Sequence, residues 1–176
     1  MAKSRLGAFQ ISGVKAKMTK LKLVSRSPEQ TQRLGMRLGE LAQSSDVFLL
    51  TGNLGSGKTC LTQGIAWGLG VKEYAFSPSF VIIREYHGRL TLYHIDFYRL
   101  DRFEEIADLG LDEYLYGEGV CVVEWADKGI AVLPDEHLLI NLSYVSDTER
   151  AVSLEPKGLR YTELFKLLDT EFKIWN

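Results

Sequence analysis

Gly52-Asn53-Leu54-Gly55-Ser56-Gly57-Lys58-Thr59 satisfies the pattern G-x-x-x-x-G-K-[ST] at every fixed position. These residue types at this spacing suit one task, holding a phosphate. Gly52, Gly55 and Gly57 let the backbone bend until consecutive N–H groups point inward, and a side chain at those positions would block the approach of the anion. Lys58 carries a mobile positive charge for the β and γ phosphates, and the Thr59 hydroxyl is placed to ligate Mg²⁺. Asn53, Leu54 and Ser56 fill the variable positions and bring their backbone N–H groups to the same ring. Cys60 comes next, near a helix N-terminus where a thiol pKa can fall; a small buried helix residue is the simpler account.

A loop of this kind needs a carboxylate to hold the ion and a group to orient the attacking water, usually at the end of a hydrophobic strand. Asp96 ends Leu92-Tyr93-His94-Ile95, and Glu124 ends Val120-Cys121-Val122-Val123. An acid at a strand end also starts turns, so it is the phosphate loop that makes both of them candidates. His94 and His137 have no second His or Cys at ligand spacing and read as structural. Arg99 follows a strand-end acid and either reaches a γ phosphate or forms a surface salt bridge. Glu104, Glu105 and Asp108 read as the solvated face of a helix.

The elements that must position these groups follow from periodicity and caps. Val47 to Leu50 is a short, wholly apolar strand running into Gly52, and Thr59 to Leu69 is a helix closed by Gly70. Upstream, Leu21 to Ser25 alternates as a strand, and Ser27-Pro28-Glu29-Gln30 places Ser at the N-cap and Pro at the first turn of a helix reaching about Gln43. Phe80 to Tyr86 and Leu90 to Asp96 alternate around His87-Gly88-Arg89 as an antiparallel hairpin, which makes the sheet mixed. Phe103 to Leu109 is a short helix stopped by Gly110, with another turn over Leu111 to Tyr116. Val120 to Val123 is a buried strand, Leu138 to Tyr144 and Ala151 to Pro156 form a second hairpin, and Leu159 to Leu168 is a closing helix. The expected architecture is a three-layer α/β domain with a mixed sheet.

Composition bounds the rest. The chain has 176 residues, 45% of them hydrophobic, which suits one domain with a real core and excludes disorder as the main theme. Its net charge of -2 makes the whole molecule no magnet for nucleic acid or anionic membrane. Lys72, Arg84, Arg89, Arg99 and Arg102 could at most form a local patch. Two cysteines, Cys60 and Cys121, form no disulfide framework or zinc spacing, so a reducing, cytoplasmic setting is expected. No apolar run approaches the ~18 residues of a membrane span. Lys3, Arg5, Lys15, Lys17, Lys20, Lys22 and Arg26 all precede the first acid, Glu29. Residues 1–17 are read as a solvated basic tail and 18–176 as a single domain beginning near Met18.

In order and spacing, the phosphate loop, Ser77-Pro78-Ser79-Phe80, the run from Leu92 to Leu100, Leu109-Gly110 through Glu113-Tyr114, Glu124-Trp125 and Leu133-Pro134 resemble the TsaE (YjeE) family. The resemblance implies a P-loop ATPase that binds ATP and Mg²⁺ and works with a TsaD-type threonylcarbamoyl transferase and its TsaB-type partner. Together these modify adenosine 37 of ANN-decoding tRNAs, with hydrolysis resetting the complex. tRNA would then be met mainly through the partners. Carried over by motif, Lys58 and Thr59 bind phosphate and Mg²⁺, Asp96 goes to Mg²⁺ and Glu124 to water activation, with the exchange of those two roles left open. Trp125 completes the E-W pair at the nucleotide site. Ser77 to Phe80 would be a switch loop whose Ser79 hydroxyl senses the metal or the γ phosphate, Ser79 standing where the family usually has Thr.

Rival readings remain. A small-molecule kinase would need an arginine-bearing lid after the second acid, where only Lys128, Arg150, Lys157 and Arg160 lie scattered. A GTPase would need an N-K-x-D segment, which does not occur. A nucleotide-sensing scaffold without required hydrolysis would use the same loop.

Overall fold

The computed structural model describes residues 20–172, so the stretch 1–17 read as a tail lies outside the described residues. Its elements run β1 (Leu21–Ser25), α1 (Pro28–Leu41), β2 (Val47–Thr51), α2 (Lys58–Gly68), β3 (Ile83–His87), β4 (Thr91–Asp96), α3 (Phe103–Ala107), α4 (Asp112–Leu115) and β5 (Val120–Glu124). A 3₁₀ segment, Ala126–Val132, leads to β6 (His137–Tyr144), β7 (Arg150–Lys157) and α5 (Leu159–Phe172).

One seven-stranded sheet has the order β1-β7-β6-β2-β5-β4-β3. β2 is parallel to both β5 and β6, and β4 is parallel to β5, while β1–β7, β6–β7 and β3–β4 pair antiparallel. The mixed sheet expected from the two hairpins is therefore present. Parallel strands covered on both faces should read as unbroken apolar runs, and β5 is buried at all of its positions.

Alternation along β2 sends successive side chains to opposite faces. Phe48 and Leu50 meet Leu34 and Leu38 of α1, Leu61 and Ile65 of α2 and Leu164 and Leu168 of α5 in one core. Val47 and Leu49 meet Ile95, Ile106, Leu111, Leu115 and Val123 in a smaller core beneath the short helices. Helices on both faces of the sheet make the three layers. Among the described residues no helix is long and apolar enough to cross a membrane.

The α1–α2 seam has a cause in the sequence that periodicity alone does not reveal. A Cβ added at Gly35 would lie 2.2 Å from Leu61 O, at Gly39 2.2 Å from Ile65 O, at Gly64 2.1 Å from Gln32 O and at Gly68 2.0 Å from Met36 O. The two helices touch backbone to backbone, which fixes α2 and with it the loop that precedes it. α1 itself starts as expected, with Ser27 Oγ accepting from Gln30 N and Pro28 in the first turn.

Two expectations need correction. The strand placed over Phe80 to Tyr86 begins only at Ile83: Val81 N and Ile82 N both donate to Pro78 O, at 2.8 and 2.6 Å, and turn the chain first. The alternating pattern is real, but those residues close a loop beside the strand ends and leave Phe80 81% exposed. The second concerns Cys60, which is half-buried, not buried, and whose thiol is pushed up by desolvation with no sign of helix-end activation.

Candidate functional site

The site lies at the C-terminal ends of β2, β4 and β5, where a parallel sheet leaves a crevice between strand ends and helix starts. The loop from β2 to α2 supplies its floor. Gly52, Gly55 and Gly57 all have positive φ, at 133°, 76° and 101°. At Gly52 there is also no room, since a Cβ would stand 2.1 Å from Leu142 O of the neighbouring β6. Glycine is dictated there by both conformation and contact.

Lys58 is only 5% exposed, and its Nζ donates to Gly52 O at 2.6 Å, Asn53 O at 3.0 Å and Ser56 Oγ at 3.5 Å. The ammonium also stands 4.1 Å from the centre of the Trp125 ring. Burial pulls its pKa down, and Glu124, Asp96 and Asp127 pull it back up. The loop thus ties its own lysine back to its backbone carbonyls.

Strand register brings the two acids together. Asp96 of β4 stands opposite Glu124 of β5, which stands opposite Leu50 of β2. Each is 2% exposed, and each is held differently. Glu124 Oε2 accepts from Thr59 Oγ1 at 3.1 Å, while Oε1 meets His94 Nε2 at 2.8 Å and accepts from Thr62 Oγ1 at 3.3 Å. Asp96 Oδ2 accepts from Ser77 Oγ at 2.5 Å and Oδ1 from Tyr98 N at 2.8 Å. Burial raises the Asp96 pKa above the usual carboxylate value, against the two hydrogen bonds that favour its charged form.

A cavity of about 400 Å³ opens over these groups. Leu54, Gly55, Gly57, Lys58, Thr59, Cys60, Ser79, Asp96, Glu124 and Trp125 line it, so the structure brings together most of the residues expected from sequence. Gly52, Asn53 and Ser56 stand behind that lining as the partners of Lys58. Ser77 and Tyr98 line it as well; sequence reading had Ser77 only as the start of a switch segment and gave Tyr98 no role. Trp125 carries a φ of 57°, unusual for a bulky residue, and its ring lies 5.1 Å from that of Tyr98.

Other expected residues lie elsewhere. Arg99 stacks on exposed Phe80, 4.0 Å from the ring centre, and lines no part of the cavity. Arg89 donates to Gly39 O and Ala42 O at the end of α1, and Arg102 pairs with Glu105, so two members of the supposed basic patch already have structural work. His137 Nδ1 lies 2.6 Å from Pro134 O, consistent with a structural role. Arg150, by contrast, is a residue that sequence reading missed. Its guanidinium reaches Gly55 O at 3.1 Å and also donates to Ser146 O and Glu149 O, bracing the phosphate loop from the β6–β7 turn. No local signal marks it, because the contact depends on how β7 pairs with β6.

Among the described residues no three His, Cys, Asp or Glu side chains form a cluster able to hold a metal unaided. Mg²⁺ does not need one, since it commonly binds through one or two carboxylates, retained water and the phosphates of its nucleotide. Thr59 Oγ1, Glu124 and Asp96 around a phosphate loop are donors of that chemistry.

Comparison with known proteins agrees with the motifs. Residues 25–152 match the family model described as threonylcarbamoyl adenosine biosynthesis protein TsaE. A protein of Treponema pallidum named tRNA threonylcarbamoyladenosine biosynthesis protein TsaE is 42% identical over 134 residues, covering 76% of this chain and 99% of its own. Its namesake in Bacillus subtilis is 42% identical over 160 residues, covering 90% of this chain and 100% of its own. The crystal structure of Bacillus subtilis YdiB superimposes with a TM-score of 0.77 at 39% identity, covering 88% of this chain and 97% of that one. With a P-loop between β2 and α2, two acids in register at the neighbouring strand ends and these relatives, the chain belongs to the TsaE family.

Proposed function

We propose that this chain binds Mg·ATP in the cavity above the phosphate loop and hydrolyses it as the ATPase of tRNA threonylcarbamoyladenosine biosynthesis. The observation that carries the reading is the convergence of Lys58, Thr59, Asp96 and Glu124 on one cavity at the parallel strand ends. Family membership supplies the pathway. In this reading TsaD- and TsaB-type proteins are the partners, tRNA is contacted mainly through them, the setting is cytoplasmic and residues 18–176 act as one domain.

A bound Mg²⁺ would neutralise charge building on the phosphate oxygens. The chain's own residues would do the rest. The glycine loop and the start of α2 present N–H groups to the phosphates, and Lys58 adds a positive charge. The hydrogen bond from Thr59 to Glu124 supports the exchanged assignment, with Glu124 facing the ion beside Thr59. Asp96, one strand further out, is then the group that orients water and takes its proton, and its raised pKa suits a proton acceptor. Ser77 on the loop that follows α2 would couple that loop's position to Asp96. The kinase reading gains no support: Lys128 donates to Tyr98 O and Leu100 O, Arg160 pairs with Asp46, and Arg150 braces the loop from outside the cavity lining.

The test is hydrolysis of ATP against GTP by the purified chain with Mg²⁺, alone and with TsaB- and TsaD-type proteins, beside a Glu124→Ala variant in a tRNA modification assay. ATP-selective turnover that changes on adding the partners is the expected result. A Glu124→Ala variant that binds ATP, hydrolyses none and still supports modification would overturn hydrolysis in favour of a nucleotide-sensing scaffold.

A further inference from the structure

His94 is the one buried imidazole in contact with a site acid, and nothing in the proposed chemistry uses it. It sits in β4 between Tyr93 and Ile95, 0% exposed, two residues before Asp96. Its Nε2 lies 2.8 Å from Glu124 Oε1, across the parallel pairing of β4 with β5. Its other ring nitrogen, Nδ1, is buried without a hydrogen-bond partner.

That asymmetry fixes what the ring can be. A proton on Nδ1 would be buried facing no acceptor and would leave Nε2 pointing a lone pair at a carboxylate oxygen, two unfavourable contacts at once. The form that fits carries its proton on Nε2 and donates it to Glu124, leaving the buried Nδ1 as a bare acceptor. Glu124 is then held on both oxygens: Oε1 by His94, with Thr62 at 3.3 Å, and Oε2 by Thr59. The Thr62 hydroxyl also has the α2 carbonyl of Lys58 at 3.0 Å as an acceptor for its single proton, so it is a divided donor and His94 the committed one. Rotating the carboxylate to present a different oxygen to the cavity would break the bond to the fully buried His94 ring.

We propose that His94 is a positioning residue: its Nε2–H pins Glu124 Oε1 so that Oε2 faces Thr59 and the ion end of the phosphate loop. The proposal rests on the reading that Glu124 serves a bound Mg-nucleotide. It predicts an effect on ion use, not on holding the nucleotide, since His94 lines no part of the cavity. Partners behind a ligating carboxylate of this kind typically alter metal affinity or activity by about 10- to 100-fold when removed.

The experiment has two arms. In the unmodified chain, ring-nitrogen NMR should find a proton on His94 Nε2; a ring with Nε2 bare and its proton on Nδ1 would overturn the proposal whatever the protein hydrolyses. The second arm measures ADP affinity without Mg²⁺, and the Mg²⁺ concentration that half-saturates its effect on ADP binding, in His94→Leu and His94→Gln. Glutamine offers an amide N–H near the position of Nε2, whereas leucine offers none. His94→Leu should raise the Mg²⁺ requirement at least about tenfold, His94→Gln should return it to within about threefold, and Mg-free ADP binding should stay within about twofold in both. Equal losses in both variants, no loss in either, or a matching fall in Mg-free binding would overturn the proposal. If His94→Leu does not fold, the glutamine variant and the tautomer decide. Should the unmodified chain bind no ADP, the proposed function fails on its own, and the tautomer still tests the His94–Glu124 pair.

Discussion

The two loops that border the cavity reach similar ends by opposite means. From 52 to 59 the chain turns on glycines with positive φ, and its charged side chain is tied to its own backbone carbonyls. From 77 to 82 no glycine is present, and the turn is completed by Ile82 at a φ of 68°, a conformation a β-branched residue adopts only under constraint. The constraint is visible: Ile82 N donates to Pro78 O at 2.6 Å and Ile82 O accepts from Asp96 N at 2.9 Å. Phe76, Phe80 and Val81 around it are exposed, whereas Lys58 and Ser56 of the first loop are buried. One loop is encoded in its own residue types and tied to itself through Lys58. The other is imposed by neighbours and has one side-chain link to the chemistry, Ser77 to Asp96.

That contrast can be broken most severely at the first loop. Gly52→Ala places a methyl 2.1 Å from Leu142 O at a φ of 133°, so both space and conformation refuse it. It should abolish nucleotide binding in a titration with a fluorescent ATP analogue, and Lys58→Ala should weaken that binding at least about 100-fold by removing the main charge-assisted contact. The α2 seam comes next. Gly64→Ala drives a Cβ to 2.1 Å from Gln32 O and should cost about 1–3 kcal/mol, read as a lower midpoint in denaturant unfolding.

The second loop should respond differently. Ser77→Ala removes one hydrogen bond to Asp96 and should lower turnover several-fold, the scale of about 1 kcal/mol, while leaving ATP affinity within about twofold. Ile82→Gly relieves the backbone and loses a half-buried side chain, so its stability should stay within about 1 kcal/mol of the original, in sharp contrast to Gly52→Ala. A large destabilisation there would show that the second loop, like the first, depends on the residue type at its positive-φ position.

The smallest expected effect lies away from the site. Desolvation holds the His137 pKa below its usual 6.5, so the unfolded chain takes up that proton first as pH falls. The stability due to the neutral ring is complete above about pH 6.5 and is lost as pH drops toward the folded-state pKa. A His137→Asn variant, which can still donate to Pro134 O, should therefore show a flatter decline in unfolding midpoint below pH 6.5 than the unmodified chain.

The same contrast explains what the sequence disclosed. Val47–Thr51, the glycine loop and α2 were legible because each residue's own conformational preference agrees with the fold. Asp96 and Glu124 were legible because each ends an apolar strand, the place where a phosphate loop usually finds its carboxylate, and strand register then places them opposite one another. Ile82 was not legible, since nothing local asks a β-branched residue to adopt positive φ; alternation extended the strand back to Phe80. Arg150 and His94 were not legible as site supports because their contacts cross strands far apart in the chain. The Gly35, Gly39, Gly64 and Gly68 seam did leave a signal, glycines four apart on each of two facing helices, that a search for apolar periodicity passes over. The 3₁₀ segment Ala126–Val132 left none that propensity could use.

In the proposed function, Lys58, Thr59, Asp96 and Glu124 converge to make an ATPase whose turnover answers to partners. Mg-dependent ATP hydrolysis by the purified chain, with and without TsaB- and TsaD-type proteins and with Lys58→Ala as the blank, tests it most directly. ATP-selective turnover that is slow alone, changes when both partners are present and is absent in the blank is the expected result. Turnover indifferent to the partners, or phosphate delivered to a small acceptor, would contradict it.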